Sequence, residues 1–188
     1  IATQNPLSHE GTWELDAAAK QRFLVRIEWT FSTRDIEFQI AREAKASLKE
    51  NLKNIKPVIT RDEFADIQDM IQEQVVMSDA MVHLMNAVTV ATRRSDPSYP
   101  SEVFDNSGLG NEVISPSGGA SSRTTSFWPP FLRANAFFNG RKHVVPYDIF
   151  STAVPILNHR LETSCPVDTA NLINIILSER GYAYNYTA

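Results

Sequence analysis

The chain has 188 residues, 43% of them hydrophobic and 21% charged, which is enough apolar material for one packed domain or for a domain and part of another, and excludes wholesale disorder. Eighteen Lys and Arg against 22 Asp and Glu leave a net charge of -4, so no global basic field draws the protein to nucleic acid or to an acidic membrane surface. A single cysteine, Cys165, excludes an internal disulfide framework and fits a reducing, cytoplasmic setting, and no apolar run is long enough to span a bilayer or serve as a secretory leader.

Ile1 is not an initiator methionine, and residues 1–5 read as the end of a strand stopped by Pro6, which suggests a larger sheet upstream. Residues 15–22 form a short helical candidate with Asp16 as N-cap ahead of three alanines. Residues 23–29 (Phe-Leu-Val-Arg-Ile-Glu-Trp) then read as a buried strand. From Thr33 the period becomes helical, with Ile36, Ile40, Ala44 and Leu48 at four-residue steps and an end near Lys56-Pro57. Thr60-Arg61-Asp62-Glu63 is a capping-box pattern that announces a second helix with Phe64, Ile67, Ile71 and Val75 on one face. A third opens at Ser78-Asp79, turns Met81, Leu84, Met85 and Val88 inward, and ends near Thr92-Arg93-Arg94, whose cations suit a helix C-terminus.

Residues 95–122 break every period with Pro97, Pro100 and Pro116, four glycines and many serines, and read as a long loop of the kind that is usually functional or mobile. A helical pattern returns over 123–138, with Pro129-Pro130 expected to kink it or delay its start and Gly140 to stop it. Pro146 and Asp148 open another helix through Leu161, with Pro155 inside it, and Asp168 caps a last one holding Leu172, Ile175 and Ile176. The fold class so read is mainly α with a small α/β part: an αβ piece over residues 1–31, then about six helices over 32–188.

Chemistry is sparse. His9, His83, His143 and His159 have no metal-ligand spacing, and Cys165 has no partner for a zinc motif. A phosphate-cradling loop needs spaced glycines ahead of Lys-Ser or Lys-Thr, and none occurs; Gly108-Leu109-Gly110 lacks a third glycine and follows no strand. No serine sits in a nucleophile elbow, so a hydrolase of that kind has no support.

Three sequence elements, in order, resemble the MoxR family of AAA+ ATPases. Residues 1–27 contain Ala2-Thr3-Gln4-Asn5-Pro6, Glu10-Gly11-Thr12 and Gln21-Arg22-Phe23, where the family has Ala-Thr-Gln-Asn-Pro, Glu-Gly-Thr and Leu-Asp-Arg-Phe. Gly119-Ala120-Ser121-Ser122-Arg123 is similar to Gly-Ala-Ser-Pro-Arg, with Gly140-Arg141 following. Val145-Pro146-Tyr147-Asp148-Ile149 and Leu157-Asn158-His159-Arg160 resemble Val-Pro-Glu-Asp-Val and Leu-x-His-Arg.

The resemblance implies the last strands of an αβα nucleotide-binding core followed by a helical lid, with the phosphate loop and the magnesium ligands upstream. It implies ATP and Mg2+ as cofactors, with Asn5 as sensor 1, Arg22 as an arginine finger toward a neighbouring subunit, and Arg123 as sensor 2. Partners implied are further copies in a ring, hexameric by resemblance, a von Willebrand factor A domain protein, and client proteins that the ring remodels. Gln21 in place of Asp, Ser122 in place of Pro, the longer loop and Pro129-Pro130 depart from the family pattern. The alternative expectation is a non-catalytic helical assembly module of degenerate AAA+ type.

Overall fold

The computed structural model describes residues 1–4, 15–43, 55–93, 119–162, 171 and 173–175. Asn5, Ala44, Leu48, Cys165, Asp168, Leu172, Ile176 and residues 95–118 lie outside the described residues. The chain divides into two compact units, one made of Ile1–Arg26 with Gln72–Ala188 and the other of Ile27–Ile71.

In the unit Ile27–Ile71, helix α2 (Arg34–Glu43) carries Asp35 and Glu37 in its first turn and Arg42 in its last, each on the side the helix dipole favours. The four-residue period forms this helix, yet none of its residues is buried, Ile36 and Ile40 included. Periodicity decides which residues share a face; burial needs something packed against that face. Helix α3 (Arg61–Gln74) begins at the anticipated capping box: Glu63 N–H donates to Thr60 Oγ1 (3.2 Å), while Thr60 N–H and Oγ1–H donate to Glu63 Oε2 (2.7 and 2.9 Å).

The other unit opens with α1 (Ala17–Lys20), where Asp16 Oδ1 accepts the Ala19 N–H at 2.6 Å as the N-cap. Helix α4 (Asp79–Ala91) is capped by Ser78, and its Leu84, Met85 and Val88 are buried as their spacing requires. It packs with α5 (Ser122–Phe138) and α6 (Pro146–Leu157), which also pack on each other, and a 3-10 turn over Asn158–Arg160 follows α6. Their shared core is sealed by Trp128, Leu132, Ile149 and Ile156, each with no exposed surface. Between α3 and α4, Val76 pairs with His143 in an isolated parallel bridge, through Val76 N–H to Lys142 O and Val144 N–H to Val76 O, both 2.9 Å.

Residues 1–4, expected as the end of a strand, form none among the described residues, and three further elements differ from the sequence expectation. Helix α5 runs through Pro129-Pro130 without interruption. The prolines remove two N–H donors, but the completely buried Trp128 and Leu132 flank them, and Trp128 Nε1–H reaches Thr152 Oγ1 at 2.8 Å, so packing holds a turn that local bonding weakens. Helix α6 ends at Leu157 rather than Leu161, because the Arg160 guanidinium takes the Ile156 carbonyl that a continued helix would offer to the Arg160 N–H.

The third of these elements is residues 23–29, which form no strand, and Ile27 and Trp29 are 73% and 93% exposed. A strand exists only in a ladder, and no neighbour runs beside these residues among those described. Instead the Arg26 N–H donates to Pro155 O at 2.8 Å, and the carbonyls of Phe23 and Leu24 are taken by side chains of the 3-10 turn.

Helix α5 stops at a Schellman motif: Gly140 (φ +71°) donates to Phe137 O at 2.8 Å and Arg141 to Ala136 O at 2.9 Å. Arg141 is thereby aimed at Asp148 on α6, and its two terminal nitrogens each lie 2.6 Å from a carboxylate oxygen. Asn135 Nδ2 (2.8 Å) and the Val145 N–H (2.9 Å) complete the set around a carboxylate with no exposed surface. Among the described residues, no helix is long and apolar enough to cross a membrane.

Candidate functional site

The segment Gly119-Ala120-Ser121, which leads into α5, is fixed from two sides. Gly119 has φ +109°, and a Cβ there would lie 2.4 Å from Thr92 O, so only glycine fits against the end of α4. The Ala120 N–H donates to Thr92 Oγ1 at 2.9 Å, Thr92 Oγ1–H donates to Thr89 O at 2.6 Å, and Arg93 Nε–H donates to Ala120 O at 2.7 Å. On the opposite side Gln21, in the turn after α1, donates from Nε2 to Gly119 O at 3.0 Å. Its Oε1 accepts from Ser121 Oγ at 3.1 Å and from the Ser121 N–H at 3.4 Å. The Ser121 hydroxyl is therefore committed to Gln21, and Ser121 is the N-cap of α5 by backbone geometry without a capping side-chain bond.

Arg123 is the second residue of α5 and exposed. A cation there opposes the helix dipole, which favours negative charge at an N-terminus, so the position is poor for a structural arginine and good for one that meets an anion. Arg22 follows Gln21 directly; its N–H closes the turn on Ala19 O at 3.1 Å and its side chain is exposed. Among the described residues neither guanidinium has a hydrogen-bond or ion-pair partner. The two expected functional arginines are thus placed on segments joined by the bonds of Gln21 to 119–121, and Asn5 lies outside the described residues.

Beyond Arg22 the chain is held by a buried basic pair. Arg160 is 2% exposed; one terminal nitrogen donates to Leu24 O at 3.0 Å and to Ile156 O, the other to Phe23 O. His159 Nε2 lies 3.0 Å from Phe23 O and 2.8 Å from Arg160. Burial pushes the Arg160 guanidinium down to about 10, still protonated at neutral pH. Burial is also the main influence holding His159 below its ordinary value; the Phe23 carbonyl opposes it, and the charges of Arg160 and Arg26 add to it. Arg22 is therefore bracketed, with Gln21 bonded to the start of α5 and Phe23-Leu24 bonded to the end of α6.

Sequence reading singled out Arg22 and Arg123 but passed over the clasp and the task of Gln21. The one available signal for the clasp was a His-Arg pair one residue beyond the apolar Val154-Pro155-Ile156-Leu157, where charges are rarely spent without a partner. For Gln21 only its departure from the expected Asp stood out.

The AAA lid domain family matches residues 115–174 of the chain. The chaperone MoxR1 of Mycobacterium tuberculosis is 28% identical over 163 residues, which cover 86% of this chain and 39% of that protein. YeaC, an uncharacterized protein of Bacillus subtilis, is 27% identical over 164 residues, covering 86% of this chain and 44% of its own. The crystal structure of a protein assigned as an ATPase, from Cytophaga hutchinsonii, superposes with a TM-score of 0.76 at 27% identity, over 93% of this chain and 51% of that one. The chain spans about four-tenths of the length of these curated relatives. With the lid fold, the ordered motifs and these likenesses in agreement, the chain is identified as a MoxR-like AAA+ C-terminal part that contains an AAA lid domain.

Proposed function

We propose that this chain serves, within the complete protein, the ATP-driven action of a ring that remodels or matures client proteins. The observation that carries the reading is the pair of exposed guanidiniums, Arg22 and Arg123, without partners among the described residues and carried on segments that Gln21 joins. Unpaired guanidinium forks carried on anchored backbone suit the oxygens of a polyphosphate. Arg123 would hold the phosphates of its own subunit's ATP, and Arg22 would reach the nucleotide of a neighbour. Asn5, at the end of the Ala-Thr-Gln-Asn element, would orient the γ-phosphate or attacking water as sensor 1. Bound ATP with Mg2+ supplies the phosphoanhydride whose cleavage drives the cycle.

The 188 residues contain no Gly-x-x-x-x-Gly-Lys-Ser/Thr motif, so the cradle for the phosphates and the Mg2+ ligands would come from another part of the protein. Residues 1–31 would then belong to the nucleotide-binding core and 32–188 to the lid, in a cytoplasmic ring whose von Willebrand factor A domain partner and clients remain proposals from family likeness. Two measurements test the reading. Calorimetry on the 188-residue chain should detect no micromolar affinity for ATP. In the full-length protein ATP should protect the lid from proteolysis, and Arg123→Ala should abolish that protection; protection unchanged in the variant removes Arg123 from the phosphate site.

A further inference from the structure

Gln21 and Ser121 are one hundred positions apart in sequence, and the Gln21 amide makes three bonds to the segment that starts α5. That segment does not need them to be shaped: Thr92, Arg93 and the fit of Gly119 against Thr92 O already fix it from the α4 side. Nor does the chain around Arg22 need them to stay docked, since Arg160, His159 and the Arg26–Pro155 bond hold residues 23–26. The bonds of Gln21 are thus redundant for folding and specific for one thing, the placement of residue 21 against residue 121.

We propose that Gln21 is a positioning residue that locks the Arg22-bearing turn to the Arg123-bearing start of α5, so that phosphate contact at Arg123 is registered at Arg22. This rests on the reading of Arg123 as a phosphate contact given above. The chemistry asks for an amide of this length: Nε2–H donates to a carbonyl while Oε1 accepts from an N–H and a hydroxyl. A carboxylate can accept but, ionised, cannot donate to Gly119 O, and Asp is also one methylene too short to replace the reach of Gln. Ser121 in turn gives its hydroxyl to Gln21 and not to its own helix, which ties the helix start to that side chain. Arg22 and Arg123 lie one and two residues from the ends of this lock, so slack in it displaces one guanidinium relative to the other.

The test is a double-mutant cycle in the full-length protein, read by ATP affinity and by amide hydrogen exchange without nucleotide. Gln21→Ala should speed exchange of the Ser121 amide and weaken ATP binding about 3- to 10-fold, the scale of one lost hydrogen bond converted to affinity. Gln21→Glu, which keeps the acceptor and loses the donor, should fall between wild type and Gln21→Ala. In the Arg123→Ala background Gln21→Ala should weaken ATP binding no further, because there is no guanidinium left to position. Unchanged exchange at Ser121 overturns the lock itself. If Arg123→Ala weakens ATP binding but Gln21→Ala does so equally with and without Arg123, the phosphate reading stands and the positioning proposal falls. If Arg123→Ala leaves ATP affinity unchanged, the phosphate reading fails and the coupling drawn from it fails with it.

Discussion

Asp148 shows how much one residue can organise. Burial, the largest influence, pushes its carboxyl up, but the bonds from Arg141, the Val145 N–H and Asn135, with the charge of Arg141, outweigh it and hold the carboxyl below its ordinary value. A folded value below the unfolded one means that the stabilisation is fully present above the ordinary aspartate pKa near 4 and is lost as pH falls through the lower folded value. Thermal melts should therefore show an acid limb beginning below about pH 4. Asp148→Asn should remove the contribution of this residue to that limb while lowering stability at pH 7. Arg141 is 25% exposed, so the loss should sit at the low end of the roughly 3–5 kcal/mol typical of breaking a buried pair. The two positive-φ glycines give a second comparison. Gly140→Ala meets open space and should cost about 1–2 kcal/mol of left-handed strain, whereas Gly119→Ala adds a backbone clash at Thr92 and should melt distinctly lower.

At the scale of elements, what was legible in the sequence was what local chemistry decides. Asp16, the Thr60–Glu63 box, Ser78 and Gly140 sit where helix ends require them, since each acts on backbone groups within four residues of itself. Tertiary contacts decided the rest. Pro129-Pro130 predicts a break only if packing is ignored, and 23–29 predicts a strand only if a neighbouring strand is assumed. The clasp of His159 and Arg160 on the Phe23 and Leu24 carbonyls joins residues some 136 apart, beyond the reach of any periodicity. It also carries a pH dependence. The folded pKa of His159 is lowered, so its contribution is complete above the ordinary value near 6.5 and fades as pH falls from there toward the lower folded value. Protonation would place a second cation against Arg160, with Arg26 nearby. Hydrogen exchange of the Arg26 amide, normalised for its intrinsic rate, should accelerate as pH falls below about 6.5, and His159→Gln should flatten that dependence.

At the scale of the whole molecule, the family likeness was legible because three motifs stand in order, and two of them proved to be geometric parts: the Gly119–Arg123 element starts α5 and the His159–Arg160 element holds the Arg22 segment. What the sequence could not show was that both converge on residues 21–24. If Arg22 is a phosphate contact as proposed, this convergence bears on which nucleotide it would serve. Its neighbours on either side are committed to its own lid, through Gln21 to 119–121 and through the Phe23 and Leu24 carbonyls to the turn after α6, while its own side chain is exposed. On the proposed reading, an exposed guanidinium carried on backbone so held to its own subunit would be suited to a charge carried by an adjoining one. An arginine supplied in trans is worth about 10³ to 10⁵ in turnover, because it meets charge developing on the γ-phosphoryl oxygens in a site cleared of water. Lysine lacks the planar fork, so Arg22→Lys should not restore the rate. In rings of the full-length protein, Arg22→Ala subunits with an intact phosphate loop should regain activity when mixed with subunits that keep Arg22 but have a disabled loop. Mixed rings that form, shown by native mass spectrometry, yet stay as inactive as either parent would return Arg22 to the role of a solvated turn residue.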